Sequence, residues 1–366
     1  MNFEFSEEQL FIRDQARNFL SQESTPVVVR SVLDTDAPFH RELWQKIVEL
    51  GWTAMAIPET YGGLGLGYLE LCVVAEELGR SLAPVPFSSS VYLATEALKN
   101  WGSDEQKQHY LPRLAAGELI GTLATSEGLG DLQVAAQVRG GKLSGVKCPV
   151  PDGDSADFAV IIANDEGGSA GLYLVDLTHS SAQRSALNSM DPSRSQASIA
   201  FDATPAAPLG DGSAGLRQLS ELLDRAAVLF AFEQVGGSQA AMEMGMAYTR
   251  ERYAFGRAIA SFQAIKHKFA DMFVALELAR CNAYYGAWAL SCDAPDLPLA
   301  AATARVSATD AYYQITRENI QAHGGMGFTW EFDCHLYYRR AQLLSGVIGT
   351  QPQWQDKVAT RLLQAA

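Results

Sequence analysis

The chain has 366 residues, 48% of them apolar and 19% charged, which supplies packed cores for two or three domains and excludes global disorder. Forty-two acidic residues against 28 basic ones give a formal charge of −14, and this excludes nucleic acid as the main partner, since phosphate neutralisation needs a basic face. No apolar run reaches the roughly 18 residues of a membrane-spanning helix, and the opening MNFEFSEEQL lacks the basic start and apolar stretch of a secretory signal, so a soluble cytoplasmic protein is expected.

In chain order, Phe5, Leu10, Ile12, Ala16, Phe19 and Leu20 recur at mostly helical spacings, with Ser6 placed as the N-cap. Further helices are expected over 42–50, 69–78 and 103–111, with a turn-rich loop of Pro58, Gly62, Gly63, Gly65 and Gly67 between the first two of these. From Gly121 short β-prone runs take over, such as 158–162 and 171–175, separated by Gly, Asp, Ser and Pro clusters. Strands without long intervening helices predict an antiparallel sandwich or barrel. Helical periodicity returns near Leu222 and continues towards Arg252, then over 264–285 and 300–322. The expected fold is α+β: a helical N-terminal domain (1–120), a middle antiparallel β-domain (121–213) and a C-terminal four-helix bundle (214–366).

Cys72, Cys148, Cys281, Cys292 and Cys334 are odd in number and dispersed, so no disulfide framework is expected. The histidines and carboxylates show no metal-ligand spacing, and no metal is expected. Neither GxGxxG after a strand nor GxxxxGK[ST] occurs, and Gly62–Gly67 reads better as a structural turn. Two segments of the bundle carry more. Arg250, Arg252, Arg257, Lys266 and Lys268 form a cationic patch in 19 residues of this acidic chain. Here the first bundle helix ends near Phe255, Gly256 suits a left-handed C′ position, and Ser261 suits the cap of a new helix whose N–H groups favour an anion. In Gln321-Ala-His-Gly-Gly-Met-Gly-Phe328, three glycines after a helix let the backbone approach a group such as a pyrophosphate. A solvated helix corner and a flexible C-cap are the structural alternatives at the two sites.

Together these segments resemble the flavin-dependent acyl-CoA dehydrogenase family, including the base-less subunit of its α2β2 members that act on steroid side-chain thioesters. Arg252-Tyr-Ala-Phe-Gly256 with Phe262-Gln263 is similar to its RxxFG…FQ motif, and 321–328 to its QxxGGxG[FY] motif. Phe5–Gln9 with Arg13–Arg17 resembles its opening helix, and 51–65 its N-domain signature. The resemblance implies FAD as cofactor, an acyl-CoA substrate, α,β-desaturation and an electron-transferring flavoprotein as electron acceptor. It also implies cofactor-binding roles for Arg252, Phe255, Gln263, Gln321, Gly324 and Gly325.

The chain departs from the family pattern where proton abstraction and the subunit's own flavin contacts belong. Ile348 stands at the usual catalytic Glu, and Ala226 with Ala227 at the alternative base and its Arg, so no catalytic residue is assigned. Ser126–Asp131 is a shortened flavin loop, while Pro149 and Pro151 replace a Trp and a Thr that contact the ring; proline has neither side-chain donor nor N–H. In the family, FAD lies across a subunit interface, and this chain keeps the neighbour-side set while losing most of the own-side set. The expectation is a partner subunit completing the FAD site of a homologous, base-bearing chain. A self-sufficient homo-oligomeric flavoenzyme with desulfinase- or monooxygenase-like chemistry, and a flavin-free scaffold, are the alternatives. Asp224 and Glu233 are the candidates for a displaced base, with a structural carboxylate at a helix N-terminus as the alternative for Asp224. His267 suits either a phosphate or a neighbouring helix, and 337–340 either an interface or a surface.

Overall fold

The structure, a computed structural model, describes residues 5–128, 133–211 and 215–365. Six helices come first: α1 (Glu7–Glu23), α2 (Pro26–Leu33), α3 (Arg41–Glu49), α4 (Tyr68–Arg80), α5 (Glu96–Trp101) and α6 (Asp104–Ala115). Ser6 and Ser103 are N-caps, each completing a capping box with the glutamine three residues on. A π-helical stretch, Ser88–Thr95, leads directly into α5. Seven strands follow: β1 (Gly121–Ala124), β2 (Gln137–Arg139), β3 (Lys142–Pro151), β4 (Phe158–Asn164), β5 (Ala170–Asp176), β6 (Ala182–Ala186) and β7 (Gln196–Pro208). Helix α7 (Gly215–Glu251) is followed by a hairpin of β8 (Tyr253–Ala254) and β9 (Arg257–Ala258). The chain then runs through α8 (Gln263–Ser291), α9 (Leu297–His323), α10 (Cys334–Gly346) and α11 (Gln351–Ala365).

By its contacts the chain forms two compact units. The first comprises Met1–Val29, Tyr68–Ala83 and Ala227–Ala366. Within it α1 packs on α4, α4 on α8, and α9 on α8, α10 and α11. Helices α4 and α7 meet backbone to backbone: a Cβ on Gly79 would lie 1.8 Å from the Glu233 carbonyl oxygen, and one on Gly236 1.8 Å from that of Glu76. Two glycines, one on each helix, permit this approach. Ion pairs reinforce the layer, with Arg280 on Glu76 at 2.7 Å and Arg17 on Glu77 at 2.6 Å.

The second unit comprises Arg30–Gly67 and Pro84–Ala226. Its strands close a ring in the order β4–β2–β3–β7–β5, with β5 pairing back onto β4. Most pairings are antiparallel as expected, but β1 runs parallel to β4, as does the single β2–β4 pair. Leu143, Val150, Val160, Ile162, Leu172, Leu174 and Ile199 are buried in this unit. A buried ion pair crosses the same unit, Lys147 Nζ donating to Glu127 Oε1 at 2.5 Å, while the Glu127 carboxylate also accepts from the amides of Ala135 and Ala136. Burial opposes ionisation of Glu127, yet the Lys147 ammonium and these two amides hold its carboxyl below the ordinary value.

Candidate functional site

The candidate residues gather at one end of the helical unit. Helix α7 ends at Glu251 rather than near Phe255. Phe255 (φ 52°) and Gly256 (φ 77°) form the two-residue turn of the β8–β9 hairpin, in which Tyr253 pairs with Ala258 and Ala254 with Arg257. Both central residues take positive φ, as a type I′ turn demands, so Gly256 serves the hairpin and is not a helix C′. Phe255 is held in left-handed backbone, which is strained for a phenylalanine, and its ring is 95% exposed. The hairpin stays close to the start of α8: the Ile259 amide donates to Arg252 O at 2.8 Å, and the Arg257 guanidinium lies 4.0 Å from the Phe262 ring centroid.

Ser261 does not cap α8. Its hydroxyl turns back to donate to Ala258 O at 2.7 Å, and the helix begins at Gln263 after an extended Phe262, with no side chain on its first N–H groups. The anion-favouring helix end survives this change. Gln263 and Arg252 are both exposed beside it, as are Arg250, Arg257, Lys266 and His267. His267 is thus not buried against a neighbouring helix. Lys268 is different, because it is paired with Glu318 and ties α8 to α9.

The second motif is brought to the same end by a ring cluster. Tyr248, one turn before the end of α7, stacks on His323 at 4.2 Å and 24°, and Phe332 closes edge-on against both at 6.1 and 5.8 Å. His323 is buried and donates through Nδ1 to Asn319 O at 2.8 Å, at the last turn of α9. From there a 3₁₀ turn, Gly324–Phe328, leaves the helix. Gly324 has φ 61° and ψ −138°, a conformation open to glycine alone. Gly325 has ordinary backbone, and a Cβ there meets nothing within 4 Å. Nothing in this chain's own packing requires glycine at that position. Gln321, Gly324 and Gly325 are exposed, as are Met326, Phe328 and Trp330.

This arrangement can bind an anion and cover a flat ring. Arg252 supplies a permanent cation, the α8 N-terminus free amides, Gly324–Gly325 an open backbone, and Gln263 with Gln321 amide side chains. These residues fit one side of a dinucleotide such as FAD.

Positions 348 and 226, where the family's base is expected, carry no proton acceptor. Ala226 and Ala227 are wholly buried, and Ile348 is buried with its carbonyl accepting from Trp354 Nε1 at 3.2 Å. Glu233 is buried and faces Arg340 Nη1 at 3.8 Å, a structural pairing inside the helical unit. Asp224 is also buried. One position beyond it, the Arg225 guanidinium engages Glu96 at 2.7 Å in the strand-bearing unit. Pro149 sits where β3 slips register against β7, between Lys147 and Val150, and Pro151 O accepts from Thr122 Oγ1. Of the shortened loop 126–131, residues 129–131 lie outside the described residues. Positions 337–340 lie within α10. Arg340 is buried there, and the Tyr337 hydroxyl donates to Arg80 O at 3.0 Å, its pKa pushed up to about 12 by burial.

Residues 6–118 match the model of the acyl-CoA dehydrogenase N-terminal domain, and residues 213–363 that of the C-terminal domain. The chain is 32% identical to the acyl-CoA dehydrogenase IpdE2 of Mycobacterium tuberculosis, over 92% of this chain and 91% of that protein. Among solved structures, a Tcur3481–Tcur3483 steroid ACAD variant superposes with a TM-score of 0.89 at 28% identity, covering 98% of each chain. The ChsE4–ChsE5 complex from Mycobacterium tuberculosis gives a TM-score of 0.91 at 26% identity, covering 99% of each. Among the described residues no group of side chains is placed to hold a metal ion, and no helix is long and apolar enough to cross a membrane.

Proposed function

From the premise that this chain belongs to the acyl-CoA dehydrogenase family, we propose that it is an oxidoreductase subunit completing the FAD site of a homologous, base-bearing chain. Its reaction is α,β-desaturation of an acyl-CoA thioester. The observation that carries the reading is one-sidedness. The residues suited to a dinucleotide's phosphates and ring are intact and face solvent at the end of the helical unit. The positions for a proton acceptor and for the chain's own ring contacts hold Ile348, Ala226, Pro149 and Pro151.

Bound FAD supplies the hydride acceptor. Arg252 would hold a phosphate of the cofactor, Gly324 and Gly325 would admit it to the backbone, and Gln263 and Gln321 would orient it. Phe255 would help to exclude water. The partner's carboxylate removes the α-proton, because no side chain at the expected positions of this chain can do so. A bulky polycyclic acyl group is the substrate class, by analogy with the relative named as a steroid ACAD. Electrons leave to an electron-transferring flavoprotein.

The test is flavin content and native mass of the chain purified alone and co-expressed with a base-bearing homologue. The expected result is no stable flavin alone and one FAD per two chains in the co-purified assembly. One tightly held FAD per chain in a homo-oligomer sinks the proposal.

A further inference from the structure

Between the glycine turn and α10 lies a short segment, Thr329–Asp333, that neither motif includes. Three contacts close this segment on itself. The Cys334 thiol donates to Gly327 O at 3.5 Å, and Thr329 N–H to Met326 O at 3.1 Å. The third contact is built from side chains one helical turn apart. The His335 ring stacks on the Trp330 indole at 5.0 Å and 24°, and the Arg339 guanidinium lies 5.2 Å from the same indole's centroid.

The hydrogen bonds fix the state of the histidine. Arg339 Nε–H donates to His335 Nδ1 at 3.3 Å, so that nitrogen is unprotonated. The proton sits on Nε2, which donates to the backbone carbonyl of Trp330 at 3.3 Å. His335 thus grips Trp330 twice, through its ring and through its main chain, and is itself held by Arg339. Stacking of an imidazole and a guanidinium on an indole adds to the hydrogen bonds. This assembly stands two residues beyond the 3₁₀ turn that carries Gly324 and Gly325.

We propose that Trp330, His335 and Arg339 are positioning residues: they brace the Gly324–Phe328 turn in the shape that receives the FAD phosphates. The inference rests on the proposed FAD role of that turn. Without the brace, Gly324 and Gly325 have no side chains to hold the turn, and its other flank is the Tyr248–His323–Phe332 cluster. The brace lowers the conformational entropy that the turn loses on binding, so its removal shows in cofactor retention more than in folding.

The experiment uses the flavin-loaded assembly, homo-oligomeric or co-purified with the base-bearing homologue. Release of FAD after dilution is followed by flavin fluorescence, with native mass and melting temperature recorded alongside. His335→Ala removes donor, acceptor and ring, and FAD release is expected to quicken about tenfold, as loss of two hydrogen bonds implies, at unchanged mass. His335→Gln keeps an acceptor for Arg339 and a donor for Trp330 O, and restores release to within about threefold of the parent. A role confined to stabilising α10 lowers the melting temperature of both variants alike and leaves release unmoved. Arg252→Gln is the control for the underlying reading. If it quickens release while His335→Ala does not, the brace is refuted and the site stands. If Arg252→Gln has no effect, or no assembly holds FAD, both fall.

Discussion

At the scale of single residues, Ile348 decides most. Its side chain is buried, and the Trp354 indole is bonded to its carbonyl. Ile348→Glu puts a charge where a buried isoleucine stands. We expect a loss of roughly 2–4 kcal/mol in denaturant unfolding and no gain of dehydrogenase activity in the isolated chain. Appearance of activity without such a loss contradicts the assignment. The same scale shows what the sequence could disclose. The Ser-x-x-Gln pattern at Ser6 and Ser103 names its own geometry, because every atom of a capping box lies within three residues. Ser261 carries an equally plausible hydroxyl, yet it bonds backwards to Ala258 because the chain stays extended through Phe262. Gly256 likewise has the positive φ expected of it, but for a hairpin. A left-handed glycine suits a helix C′ and a type I′ turn equally, and the pairing of Tyr253 with Ala258 chose between them.

At the scale of elements, the crossing of α4 and α7 is the most constrained contact of the helical unit. Gly236→Ala puts a methyl group against the Glu76 carbonyl, and Gly79→Ala does the same to Glu233. Each is expected to cost about 3 kcal/mol or more, read as a lowered denaturant midpoint, with the unit failing to fold if the helices cannot separate. In the strand-bearing unit, Glu127 has a depressed folded-state pKa, so its contribution is present above its ordinary value of 4.5 and is lost as pH falls through the lowered one. Glu127→Gln should therefore flatten the stability profile below about pH 4.3 and lower the plateau at pH 7. An unchanged acid limb speaks against the pairing. Helices such as α8 and α9 were legible because their apolar stripes run for many turns. The parallel pairing of β1 with β4 was not, since it joins segments more than 30 residues apart and leaves no local trace. The buried π-helical stretch Ser88–Thr95 was not anticipated either. Trp330, His335 and Arg339 carried one faint signal, the four-residue spacing of His335 and Arg339 on a helix.

At the scale of the whole molecule, charge is unevenly spent. The chain totals −14, yet Arg250, Arg252, Arg257 and Lys266 stand exposed at one end of the helical unit. No ion pair engages these four among the described residues. On the proposed reading, binding of a dinucleotide there is partly electrostatic. Release of FAD should accelerate as salt rises from about 0.05 to 0.5 M, and Arg252→Gln should blunt that dependence. A salt-independent release rate argues for purely apolar retention. The surrounding loops expose Tyr253, Phe255, Met326, Phe328 and Trp330, five large apolar side chains on two short segments. On the proposed reading a partner covers this end, so in a cell it would distinguish an orphan chain from an assembled one. A phenylalanine raised on a hairpin tip is the type of signal that chaperones and proteases act upon. If the proposed assembly forms, unassembled copies would be marked for removal, and the abundance of the chain would be coupled to that of the partner that covers its tip.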